Sequence, residues 1–75
     1  MSKNMEELIR GILSRRDPEG YYVIPASPRA MSMLQGIRGV EVVETGDVIL
    51  ARTRSRRLAA RIARMLARLG LLALL

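Results

Sequence analysis

The chain has 75 residues, room for one domain and one hydrophobic core, and at this size folding buries only about 60% of the surface the unfolded chain exposes. It contains neither cysteine nor histidine, which excludes disulfides, Cys/His zinc sites and Cys–His or Ser–His nucleophile pairs. Thirteen cations, twelve of them arginine, against seven acids give a net charge of +6, and the 49% apolar fraction must build a core without Phe or Trp.

Asn4 is placed as a helix N-cap, with Glu7 three residues on completing a capping box. Met5, Leu8, Ile9, Ile12 and Leu13 then recur at helical spacing, predicting a helix over 4–15. Asp17-Pro18-Glu19-Gly20 ends it in a turn. Tyr21-Tyr22-Val23-Ile24 reads as a short strand stopped by Pro25. Ser27-Pro28 is a helix start, serine as cap and proline where a missing N–H costs nothing, and Ala30, Met31, Leu34 and Ile37 supply that helix's apolar face. Residues 40–44 and 48–53 are strands joined at Thr45-Gly46-Asp47, a hairpin in which glycine supplies positive φ. Ser55 caps a last helix that runs to about Leu69, with Gly70 just beyond its end and an apolar tail over 70–75.

The order is therefore α-β-α-β-β-α, and the expected fold class is α+β: one small domain over 1–75, an antiparallel sheet with a long basic C-terminal helix packed on it. Its 21–69 stretch forms a β-α-β-β-α unit. Both faces of the hairpin are apolar, with Val40 and Val42 opposed to Val43, and Val48 and Leu50 opposed to Ile49 and Ala51. Either the first helix crosses to the second face or another chain covers it. The expectation is self-association as a homodimer or incorporation into a larger complex, with Tyr22, Ile24, Val43, Ile49, Ala59, Ala63, Leu71 and Leu72 at the interface.

Residues 1–47 hold six cations and seven acids, whereas residues 48–75 hold seven arginines and no acid. An arginine-rich coding habit, such as a thermophile's, would not empty half a chain of acids. On the last helix Leu58, Ile62, Met65, Leu66 and Leu69 form an apolar stripe, and Arg57, Arg61, Arg64 and Arg68 form a second one about 110° around the helical wheel. Arg52, Arg54 and Arg56 precede them. Guanidinium groups grip phosphate bidentately, so these seven are the candidate nucleic-acid contacts. The competing reading is a solvated helix face, but such faces mix signs, and unrelieved like charges at i, i+4 repel. Tyr21 or Tyr22 can stack on a base or serve the core; adjacent strand residues point opposite ways, so only one of them can stack. Glu41 and Glu44 likewise face opposite ways, and no carboxylate pair is placed for acid–base work, so no enzyme, cofactor or metal is expected.

No stretch approaches the ~18 apolar residues of a membrane span, and the N-terminal Met1-Ser2-Lys3-Asn4 followed by Glu6 and Glu7 contains no apolar run. A cytoplasmic protein without a membrane partner is expected. A basic helix ending in leucines also has a membrane-surface pattern, but it lacks Trp and Phe and is needed to cover the sheet.

From Tyr21 to Leu69, the stretch Val48-Ile49-Leu50-Ala51-Arg52-Thr53-Arg54-Ser55 followed by Leu58, Ile62, Met65, Leu66 and Leu69 resembles the small dimerisation subunit of the archaeal KEOPS complex and its paralogues. That complex makes the threonylcarbamoyl-adenosine modification of tRNA. The resemblance implies pairing through the sheet, contact with a catalytic partner and a role near tRNA. The helix over 4–15 lies outside that family's domain, and the last helix is richer in arginine. The function expected is a non-catalytic subunit binding structured RNA, more so than DNA. The alternatives are a protein–protein assembly subunit, its arginines docking on an acidic protein, and a small DNA-binding chromatin protein.

Overall fold

The structure, a computed structural model, describes residues 2–73. The elements are α1 (Ser2–Leu13), β1 (Tyr22–Ala26), a 3-10 turn (Pro28–Ala30) leading into α2 (Met31–Gln35), β2 (Glu41–Glu44), β3 (Ile49–Thr53) and α3 (Arg56–Leu69). This is the expected α+β order. The three strands form an antiparallel sheet in the order β1-β3-β2, so the last strand lies in the middle.

Turn chemistry sets the connections. Asp17 Oδ1 accepts from the Glu19 and Tyr21 N–H groups, which folds the chain back from α1 into β1. Ser27 caps the 3-10 turn through the Arg29 N–H, with Pro28 at its first position. Gly46 has φ of +93° between β2 and β3, where a side chain would be strained. Ser55 caps α3 by accepting from the Leu58 N–H, and the helix closes on Gly70 at φ +73°. There the Leu71 N–H donates to the Leu66 carbonyl and the Gly70 N–H to the Ala67 carbonyl, satisfying two end carbonyls.

Several boundaries differ from expectation by one or two residues, and three differences bear on the fold. α1 begins at Ser2, which places Asn4 inside the helix and not at its cap. β1 runs through Pro25 to Ala26. Pro25 is tolerated because its missing N–H faces away from β3, on the side where its carbonyl accepts from the Ala73 N–H. The tail is part of the sheet: Leu72 bridges antiparallel to Ala26, and the Ser27 N–H donates to the Leu71 carbonyl. The final Leu74 and Leu75 of the predicted tail lie outside the described residues.

One cluster holds the core. Tyr22, Ile24 and Ala26 of β1 and Ile49 and Ala51 of β3 point to one face, where Ile9 and Leu13 of α1, Ala30 and Leu34 near α2, and Ala59, Ile62, Ala63 and Leu66 of α3 close over them. Five residues expected at an interface, Tyr22, Ile24, Ile49, Ala59 and Ala63, are therefore consumed by the chain's own core. α1 packs beside α3 and does not cross to the other face. That other face keeps a half-buried apolar row, Pro25, Leu50 and Val43, aligned across the three strands by register.

Candidate nucleic-acid interface

The seven candidate arginines separate into two groups by what they touch. Arg52, on the uncovered face of the central strand, is held by three carboxylates: its Nη2 donates to Asp17 Oδ2 at 2.9 Å and Glu19 Oε1 at 2.7 Å, and its Nη1 to Glu41 Oε1 at 2.8 Å. Its guanidinium lies 4.2 Å from the centre of the Tyr21 ring, and that of Arg54 lies 4.7 Å from the same ring. The hydrogen bonds Arg52 donates to Glu19 and Asp17 raise its pKa against the opposing effect of burial. With its side chain only 19% exposed and three of its five N–H donors held by carboxylates, Arg52 is a structural clamp joining the α1–β1 turn to β3 and β2, which sets it apart among the expected phosphate contacts.

Arg56 is committed too. Its Nη1 donates to the Leu13 carbonyl at 2.8 Å, tying the start of α3 to the end of α1. Arg16 lies 5.4 Å from the Tyr22 ring. Burial pushes the Tyr22 phenol up, and hydrogen bonding and charge from Arg56 and Arg16 outweigh this to leave it below its ordinary value.

The Asp17 carboxyl is held below the usual carboxylate range, first by the Tyr21 N–H, then by Arg52 and the Glu19 N–H, against the raising effect of burial. A depressed carboxylate pKa stabilises the fold above the unfolded-state value near 3.9 and is lost as pH falls through the folded value. Urea midpoints are therefore expected to hold steady from about pH 8 to 5 and to fall below about pH 4. Asp17→Asn should flatten that acid limb; an unchanged limb in the variant would remove Asp17 as its source.

The other group is free. α3 buries Ala59, Ile62, Ala63 and Leu66, an arc of about 100° at 100° per residue. Arg57, Arg61, Arg64 and Arg68 occupy an arc of about 60° centred diametrically opposite. The apolar face expected from periodicity is thus rotated: Met65 and Leu58 are half-buried and Leu69 is 56% exposed. The two alanines let α3 lie close on a sheet that itself offers Ala26 and Ala51, and that choice of face sends the arginines straight outward. Successive guanidinium stems are separated by about 6, 4.5 and 6 Å along the axis, a ridge of about 16 Å. None of the four has a carboxylate partner among the described residues. Together with Ala60 and Met65 they line a shallow groove of about 520 Å³.

The first turn of α3 holds no acid, and Arg56 and Arg57 place positive charge at the positive end of the helix dipole. Such charges oppose folding by a few tenths of a kcal/mol each at an exposed position. Protein-family models, characterised proteins and solved structures were compared with this chain, and none matches.

Proposed function

We propose that this protein is a non-catalytic, nucleic-acid-associated subunit that binds structured RNA, such as tRNA, through the α3 ridge. The supporting observation is the arrangement of Arg57, Arg61, Arg64 and Arg68: four guanidinium groups on the outermost line of one helix, opposite the core and without a carboxylate partner among the described residues. They repel one another at i, i+3 and i+4, and a polyanion relieves that repulsion. Arg54 stands apart from this ridge, its guanidinium over the Tyr21 ring beside that of Arg52. The KEOPS resemblance, with its tRNA-modifying complex, points the same way. Chemistry on the RNA belongs to a partner in this reading, while the arginines hold and orient the backbone.

Titration of a folded tRNA across a salt series tests it. Four phosphate contacts predict log K falling against log salt with a slope of about −3 to −3.6. Binding absent at moderate salt, or indifferent to salt, would sink the reading.

A second reading, an assembly subunit, is favoured by the row of Pro25, Leu50 and Val43 on the face away from the core. Of the interface residues expected from sequence, Val43 lies in that row, whereas Leu71 and Leu72 are half-buried against the core. The β2 edge is a poor site for a second copy. The strand is only four residues long and carries an exposed glutamate at each end, which blunts the edge. If the row is an assembly surface, Leu50→Arg should convert a sedimenting dimer or complex to monomer while the circular dichroism spectrum is kept. A wild-type chain that sediments as a monomer at every concentration would count against a homodimer.

A further inference from the structure

Resting on the nucleic-acid reading above, the surroundings of α3 narrow the ligand further. The helix is not free-standing. α1 packs along it, and the chain at Gly39 approaches the Leu58 side chain on the other flank. With neighbours on both sides, α3 offers a ligand only its outward strip, which meets a broad, shallow surface more fully than it meets a B-form major groove about 12 Å wide.

The ridge also lacks the side chains that read adenine or stack on bases. Bidentate readout of adenine uses Asn or Gln, and sequence-tolerant grip on single strands uses exposed aromatic rings. α3 has none of these residues. Tyr22 is buried, and Tyr21 stacks with Arg52 on the far side of the sheet. What α3 presents is guanidinium groups flanked by Ala60 and Ala67 on one side and Met65 and Leu69 on the other. These groups suit phosphates, and arginine can also contact guanine edges only where a groove admits it.

We infer that the α3 ridge binds A-form duplex RNA across its wide, shallow minor groove, with Arg57, Arg61, Arg64 and Arg68 on the phosphates and no dependence on sequence. That groove lets a flat helical layer approach the backbone, whereas the A-form major groove is too deep and narrow to enter. Each arginine then acts as one phosphate contact.

The test is fluorescence anisotropy of the full chain with four labelled probes: two RNA duplexes of unrelated sequence, roughly 16 base pairs each, the DNA duplex of one of them, and its single RNA strand. Both RNA duplexes are expected to bind within about twofold of each other and at least about tenfold tighter than the DNA duplex or the single strand at equal salt. DNA or single-stranded RNA binding as tightly as duplex RNA would overturn the duplex inference while leaving nucleic-acid binding standing. So would a preference of about tenfold or more between the two RNA sequences. Binding to none of the four probes would overturn this inference and the proposed function together.

Discussion

Ile62→Ala is expected to destabilise the fold by about 3–4 kcal/mol, because it empties a site where the surrounding structure has little room to collapse. Ile62 is 1% exposed and points from the middle of α3 onto the sheet, among side chains that are themselves fully buried. Its core-facing helix neighbours Ala59 and Ala63 are too small to fill the gap and Leu66 is itself fully buried, which leaves only Leu58 and Met65 to relax toward it from the flank. A domain of this length has about 4–11 kcal/mol of total stability, so the loss is a large fraction of it. At about 4–8 °C per kcal/mol, the melting midpoint should fall by about 15 °C or more. Met65→Ala, one turn away but half-buried, should cost much less. Ala63→Leu tests the same packing from the other direction: overfilling a site with no exposure should cost about 1–3 kcal/mol. If both Ile62→Ala and Ala63→Leu left thermal denaturation unchanged, the close seating of α3 on the sheet would be wrong.

The close seating also explains where sequence patterns succeed and where they mislead. All six major elements and their order are legible from local signals, since Ser27-Pro28, Thr45-Gly46-Asp47 and Ser55 each carry the chemistry of their own turn or cap. The hairpin even carries the register that opposes Glu41 to Arg52, and that register announces an ion pair. Missing from any local pattern is that β1 joins β3 from the other side, since this depends on chain closure across 20 residues and more. Without β1 in place, Asp17 and Glu19 have no visible reason to meet Arg52, which therefore looked free. The helical wheel of α3 erred for a different reason. Hydrophobicity ranks Leu69 and Met65 above Ala59 and Ala63, but fit against Ala26 and Ala51 decides which side faces inward. Small residues taken as an interface for a second backbone serve that role against the chain's own sheet.

The combined change of Arg57, Arg61, Arg64 and Arg68 to alanine separates binding from folding more sharply than any single substitution. Each charge-assisted phosphate contact contributes about 1 kcal/mol in net terms, so losing four should weaken RNA binding by about a thousandfold. The salt slope should flatten by about 3 to 3.6, because four fewer counterions are released per complex. Stability should move the opposite way. The four side chains lie outside the core, and none has a carboxylate partner among the described residues. Their removal relieves like-charge pairs at i, i+3 and i+4 and one unfavourable charge in the first turn, each a few tenths of a kcal/mol. Alanine also has the higher helix propensity. The variant's melting midpoint is thus expected to equal or exceed that of the wild type while its RNA affinity collapses. Arg52→Gln supplies the contrasting case: it removes a clamp between the α1–β1 turn and two strands, so it should lower stability and leave the ridge's salt slope intact. If the four-alanine variant lost its fold, or if Arg52→Gln alone abolished the slope, the division between an outward ridge and an inward clamp would not hold. Under the proposed function, a ridge that weakens the fold it stands on is explained by the polyanion it would meet.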